Sequence, residues 1–313
     1  MPARNRSTFP LVPKYRLSGL PFGGSPSLRR GHGSDVAGSR VYVRGDPVST
    51  IDWRASARLS TALGRDEFVV REKYADEAPR VVVLADRRPS MGIYAPPFPW
   101  LSKPAVVRAT IELIVQSAET ANAAVAYLDY AGSSERGGEP FWLAPSGRAM
   151  GERIEARHRD APEYDAPEDG VTRALGFLPR FRAELSSGTF IFVISDFIGP
   201  VPPESAWMTA AARRWEVVPV IVQDPVWEQS FPIVGPLVLP LADPGNGEVL
   251  EVRMTRREAR ARREANERRH KELYSMFFAL GLDPVLVSTS DPSEIDRTFL
   301  DWAEQRRDQR NRR

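Results

Sequence analysis

The sequence predicts an α/β protein built on a doubly wound, mostly parallel sheet, and three observations carry that prediction. From Arg80 onward, short apolar runs rich in β-branched residues recur along the chain. These runs are continuously apolar rather than alternating, as strands buried on both faces are. Segments with helical apolar spacing lie between them, which implies right-handed βαβ crossovers.

Residues 1–38 are rich in Pro, Gly, Ser and Arg ("LPFGGSPSLRRGHGSDVAGS") and read as a flexible tail. Residues 39–78 form a separate block, expected to pack on the main domain. Within it "FVVREKY" reads as a strand, and "RGDPVSTIDWRASAR" has no clean period and reads as an ordered loop. Its Arg-Gly-Asp triplet, Arg44 to Asp46, reads as a turn with an adjacent cap rather than as an adhesion motif.

The main domain spans 79–305. Its strands are "RVVVLAD" (80–86), "AAVAYLDY" (123–130), "TFIFVISDF" (189–197), "VVPVIVQD" (217–224) and "PVLVST" (284–289). Its helices are "KPAVVRATIELIVQSAETA", "GVTRALGFLPRFRAEL", "ESAWMTAAARRW" and "SEIDRTFLDWAEQRR". One insertion, about 225–252, contains "PLVLPLADPGNGEVLEV", a hairpin closed by a Pro-Gly-Asn-Gly turn. A long charged helix follows at about 254–280, and residues 306–313 read as a charged C-terminal tail.

Composition narrows the function classes. The chain has 313 residues, 42% of them apolar, enough for a substantial core. Net charge is +2, so overall charge names no partner. There is no cysteine, which removes disulfides, thiolate metal sites and cysteine nucleophiles and fits a reducing cytoplasm. No stretch approaches the roughly 18–20 apolar residues of a membrane span, and the start lacks the apolar core of a secretion signal. The expectation is a soluble, cytoplasmic protein. His32, His158 and His270 lie in a flexible or charged context, lack zinc spacing, and are expected to be solvated.

Four strands deliver an aspartate near their carboxyl ends: Asp86, Asp129, Asp196 and Asp224. Ligands of open α/β sheets bind beyond those ends, at the switch point. Carboxylates and hydroxyls gathered there suit Mg²⁺, Ca²⁺ or Mn²⁺. The bland alternative is that each aspartate is a turn former or helix cap.

The first of these strand ends, "LADRRPSMGIY", resembles the Asp-x-Ser-x-Ser metal-ion-dependent adhesion site of von Willebrand factor A domains. The block upstream resembles the bacterial domain-of-unknown-function family 58, DUF58. The residues that carry this likeness are Arg40, Tyr42, Gly45, Asp46, Ile51, Asp52, Trp53, Ala55, Ala57 and Arg58. It extends from about Ser39 to near the C-terminus, through the "DPGNGE" hairpin and the charged helix. The resemblance implies a von Willebrand A-like fold, a non-enzymatic interaction role, and partnership with a MoxR-type AAA+ ATPase in chaperone-like assembly or maturation.

Carried over, the family's metal ligands fall on Asp86, Ser90, Thr172 and Asp196, while Arg88 stands where a serine ligand is usual. The arginines common before Ile-Asp-Trp are replaced by Ser49 and Thr50. A guanidinium has only donors and ligates no cation. Either Arg88 supplies the charge a metal would supply, or it points outward and water completes the shell of a weakly held Mg²⁺, the one candidate cofactor. Arg88 is also a candidate grip on a partner carboxylate.

"GDPVSTIDWRASAR" supplies the other candidate partner-binding residues, Asp46, Asp52, Trp53, Arg54 and Arg58. Buried, they form an ion-pair network around Trp53; exposed, Trp and Arg are the residues that carry interface energy. Two alternatives stand beside the interaction module. One is a divalent-metal hydrolase of phosphodiesterase type using the strand-end aspartates. The other is a structural subunit binding through the Arg-rich helix. In that helix Glu258 and Arg262, Glu264 and Arg268, and Glu267 and Lys271 are spaced for i,i+4 pairing, which favours a salt-bridged face over nucleic-acid binding.

Overall fold

A computed structural model describes residues 8–14, 25–43, 48, 51–77, 80–93, 101–147, 149–233, 236–242 and 248–311. The chain divides into two compact units, residues 15–79 and residues 1–14 with 80–313.

In the smaller unit β1 (Ser25–Val41) pairs antiparallel with β2 (Val69–Glu77), and α1 (Trp53–Leu63) lies between them in sequence. Residues 25–38 are therefore strand, not tail. Their pairing is a backbone ladder with several register shifts, so no side-chain period announces it. The expected loop likewise gives way to α1 from Trp53. Asp52 caps it, accepting the amides of Arg54 and Ala55 at 3.1 Å, and Gly64 closes it at φ 65°. Ser56 ties α1 to β2: its Oγ accepts the Val69 amide at 2.8 Å and donates to the Asp52 carbonyl at 2.7 Å.

The larger unit begins with β3 (Arg80–Ala85), α2 (Lys103–Thr120), β4 (Ala124–Asp129) and β5 (Phe141–Ser146). It continues with α3 (Met150–Asp160), α4 (Gly170–Phe177), β6 (Phe190–Ser195), α5 (Glu204–Ala212) and β7 (Glu216–Val222). An antiparallel pair, β8 (Leu237–Ala242) and β9 (Val249–Met254), precedes α6 (Arg256–Ala279), β10 (Val285–Val287) and α7 (Pro292–Asn311). Part of the turn between β8 and β9, residues 243–247, lies outside the described residues.

Six strands form one sheet in the order β10-β7-β6-β3-β4-β5, parallel except for β5 at its edge. This is the doubly wound α/β fold. β5 and α3 escape the sequence pattern for a physical reason. β5 is a partly exposed edge strand holding Pro145, and α3 buries only Met150 and Ile154.

Each face of the sheet carries its own core. On one face Val81, Val83, Phe192 and Val220 pack with Ile114 of α2, Ile154 of α3 and Phe299 of α7. On the other Val82, Leu84, Val193 and Ile221 pack with Leu175 of α4, Trp207 of α5 and Phe277 of α6.

Described segments near both ends of the chain join the first core. Phe9 lies 4.9 Å from Phe299 and 6.1 Å from Phe192, ring centre to ring centre, and its amide donates to Ser117 Oγ at 3.0 Å. Lys14 pairs with Asp283 at 2.8 Å. The stretch expected to be a flexible tail thus includes a packed anchor, because Phe9 and Val12 are apolar groups the core can bury. At the other end α7 runs through Arg306, which is buried between Glu216 and Asp283 at 3.2 Å each. The expected charged tail is helical at least to Asn311.

Candidate functional site

β3 and β6 are parallel neighbours whose connections leave in opposite directions across the sheet, so their carboxyl ends mark the switch point. The Asp86 amide donates to the Ile194 carbonyl at 2.9 Å, which extends the ladder one residue and sets Asp86 beside Ser195 and Asp196. Both aspartates are buried.

The carboxylates face protein cations. Asp86 Oδ2 accepts Arg88 Nε at 2.8 Å, lies 2.7 Å from Arg88 Nη2, and accepts Ser195 Oγ at 2.7 Å. Asp86 Oδ1 accepts the Arg88 amide at 2.9 Å. Arg88 Nη2 also donates to Ser195 Oγ at 3.1 Å and lies 3.5 Å from Asp196 Oδ1. Asp196 Oδ2 accepts Lys103 Nζ at 2.9 Å, and Asp196 Oδ1 accepts the Ile198 amide at 3.1 Å. Lys103 Nζ pairs further with Glu228 and donates to the Ser90 carbonyl at 3.1 Å.

Burial tends to discharge each member, and the partners hold the charges. Burial lowers the Arg88 pKa, but Asp86 and then Asp196 raise it above the ordinary value. Lys103 is likewise raised despite burial, by Asp196 and Glu228. Burial pushes the Asp196 carboxyl up, and Lys103 brings it below the usual range. Glu228 stays above its usual range because burial outweighs Lys103.

This geometry corrects two expectations. Arg88 points inward, with a side chain only 4% exposed, and its guanidinium is spent on Asp86, Ser195 and Asp196. A bidentate grip on a partner carboxylate is therefore not on offer in this arrangement. Gly199 reinforces the enclosure, since a Cβ there would stand 2.5 Å from Arg88 Nη1.

The residues present also do not fit a divalent cation. An ion bridging Asp86 and Asp196 would have to displace both Arg88 and Lys103. No cluster of three acidic or imidazole ligands occurs among the described residues. Ser90 contributes its carbonyl to Lys103, and half-buried Thr172, in the first turn of α4, makes no bond to this network. The hydrolase alternative needs the same two carboxylates on a metal and meets the same obstacle.

Lys103 and Glu228 escaped the sequence reading. Lys103 left one weak signal: it opens α2, where the helix dipole disfavours a cation and a nearby anion offsets it. Glu228, in a loop after β7, left none.

The other strand-end aspartates are satisfied separately. Asp129 holds Arg157 through two bonds of 3.0 and 2.7 Å, and Asp224 accepts the Val226 and Trp227 amides at 2.8 and 3.0 Å. The four do not converge on one ligand.

Arg87 turns away from Arg88. It donates to the Ala161 and Glu163 carbonyls at 2.6 and 2.8 Å and stacks over Tyr164 at 4.6 Å. Its Nη1 lies 2.9 Å from His158 Nδ1, and Tyr127 Oη lies 2.9 Å from His158 Nε2. His158 is thus a half-buried bridge rather than a solvated side chain. Burial, reinforced by Arg87, takes its pKa down to about 4. His270 is also engaged, with Nδ1 2.9 Å from Gln223 Oε1.

In the smaller unit Trp53 is 61% exposed and Phe68 43% exposed, with ring centres 6.0 Å apart at 81°. Arg54 and Arg58 are exposed on the same helix, α1, while Asp52 is its cap. Asp46, with Arg44 and Gly45, lies outside the described residues.

Comparison with known proteins adds three findings. Residues 38–273 match the sequence model of a family described as "Protein of unknown function DUF58". The uncharacterized proteins Rv1480 of Mycobacterium tuberculosis and Mb1516 of Mycobacterium bovis are each 27% identical over 257 residues, covering 76% of this chain and 70% of theirs. Solved structures give weaker likenesses. The conserved hypothetical protein BatB from Bacteroides thetaiotaomicron has a TM-score of 0.39 at 15% identity, covering 72% of this chain and 99% of that one. The pilus adhesin SpaC from Lactobacillus rhamnosus GG, in its open conformation, has a TM-score of 0.43 at 12% identity, covering 76% and 31%.

Proposed function

This chain belongs to the DUF58 family, and from that premise we propose that it is a non-enzymatic protein–protein interaction module whose strand-end crevice is closed by its own cations. The observation that carries the reading is the contrast between an ion network sealed around Arg88 and Lys103 and an open aromatic–arginine surface at Trp53. A partner meets Trp53, Phe68, Arg54 and Arg58 without breaking any buried pair. Residues of these types contribute most of the binding energy at interfaces.

The partner we propose is a MoxR-type AAA+ ATPase acting in cytoplasmic, chaperone-like assembly or maturation, as the family resemblance implies. The von Willebrand A-type description belongs to the same proposal. In place of a metal ion completed by a partner carboxylate, the internal Arg88–Asp86 and Lys103–Asp196 pairs hold the switch-point loops in one arrangement.

The test is co-elution of the purified chain with a MoxR-type AAA+ ATPase from the same organism, with and without ATP. A complex is expected, weakened by Trp53→Ala and by Arg58→Glu. The absence of a complex in either nucleotide condition sinks the proposed partnership. Phosphodiester turnover with Mn²⁺ that disappears in Asp86→Ala sinks the non-enzymatic reading.

A further inference from the structure

A groove of about 680 Å³ runs between α2 and α3 on the first core's face of the sheet. Ile111, Val115 and Ile154 form its floor, and Glu112, Glu119, Glu152 and Glu155 stand exposed along it. Arg108 is the one lysine or arginine among its described lining residues, and His158 is uncharged at neutral pH because its pKa is about 4. Glu119, Glu152 and Glu155 have no ion-pair partner among the described residues.

The opposite charge sits on α6. Of its residues 256–264 only Ala259 is buried, so this half of the helix stands free of the core. Arg256, Arg257, Arg260, Arg262 and Arg268 are exposed and have no ion-pair partner among the described residues. The intrahelical pair that does form, Arg263 with Glu267, is not among the three expected from spacing, and Glu258 is engaged in the capping box.

The two surfaces cannot meet within one molecule. The groove belongs to the face covered by α2, α3 and α7, and α6 packs on the opposite face. We propose that the α2–α3 groove of one molecule receives the arginine face of α6 from a second copy of this chain. Arginine side chains suit such a cleft, with apolar stems for the floor and guanidinium heads for the glutamates. Because the two surfaces lie on opposite faces, the contact is head-to-tail, and copies add until a ring closes or a strand stays open. Exposed charge pairs of this kind are screened by salt, so the assembly weakens as ionic strength rises.

Sedimentation velocity over a range of protein concentrations, at low and high salt, tests this. The native chain should associate at low salt and dissociate at high salt. Glu112→Lys with Glu155→Lys destroys the groove, and Arg256→Ala with Arg260→Ala removes the charge of the helix face without making it complementary to a lysine groove. Each double variant alone should lose about tenfold or more in association constant. Mixed, each still has one good surface, so they should form a complex that stops at one copy of each. All four positions are exposed, and circular dichroism confirms that the variants fold. A native chain that stays monomeric at low salt overturns the proposal. So does association that survives in either variant, or a mixture that forms no one-to-one complex.

Discussion

The switch-point crevice and the Trp53 face of α1 both hold arginines beside carboxylates, and the sequence nominates both as partner-binding. The structure separates them by burial. Arg88 and Lys103 have side chains 4% and 0% exposed, among Asp86, Asp196 and Glu228, whereas Trp53 is 61% exposed and Arg54 and Arg58 are exposed on the same helix. A buried cation among carboxylates is part of the fold, because removing it strands an uncompensated charge. An exposed aromatic flanked by arginines contributes little to the fold and is free to be covered. Residue type alone does not distinguish the two; desolvation does.

The sharpest way to break this contrast is Lys103→Met. The methionine fills similar space but leaves Asp196 without its main cation, and loss of about 3–5 kcal/mol in urea unfolding is expected. A loss under about 1 kcal/mol would put the crevice in the same class as the surface. Arg88→Ser comes next. Asp86 keeps the Ser195 hydroxyl and a backbone amide, so the expected loss is smaller, about 2–4 kcal/mol. Thermal melts in millimolar Mg²⁺ complete this test. The native midpoint should not move, and a Mg²⁺-dependent rise would show that the crevice opens to metal.

How much was legible follows the same physics. The parallel strands are readable because burial on both faces demands unbroken apolar runs such as Val81 to Leu84. β1 is unreadable because its pairing is made by backbone groups in a Gly- and Ser-rich stretch, and α3 because it buries little more than Met150 and Ile154. At the site, Asp86, Arg88 and Asp196 could be found because they sit one step beyond such runs. What their charges meet could not be found. Lys103 is 17 residues further along and Glu228 is 142, so only the folded topology joins them. The metal-site frame was therefore visible, and the internal cation that fills half of it was not.

A third expected effect is smaller and concerns His158, which burial and Arg87 keep uncharged down to a pKa of about 4. A pKa lowered by folding contributes stability at pH values above the unfolded value, and that contribution is lost as pH falls. The window therefore runs from about 6.5 down to about 4, and a displacement of that size is worth at most about 3 kcal/mol. Urea midpoints of the native chain should fall across this window, and those of His158→Gln should fall less. Parallel pH profiles would mean that His158 is not the bridge the distances describe.

The smallest effect on the fold is expected at Trp53, and it decides the comparison from the other side. Trp53→Ala removes a ring that touches Phe68 edge-on but lies mostly in solvent, so stability should change by no more than about 0.5 kcal/mol. Affinity for the proposed AAA+ partner should fall by about 2 kcal/mol, roughly thirtyfold, if this ring is an interface anchor. Lys103→Met, measured at a temperature where it remains folded, should leave that affinity nearly unchanged, because the crevice is already satisfied internally. The pair of measurements crosses over: one variant loses stability and keeps binding, and the other loses binding and keeps stability. If Trp53→Ala instead loses several kcal/mol of stability, the exposed face belongs to the fold after all. If Lys103→Met loses binding while folded, the sealed network shapes the surface that the partner meets.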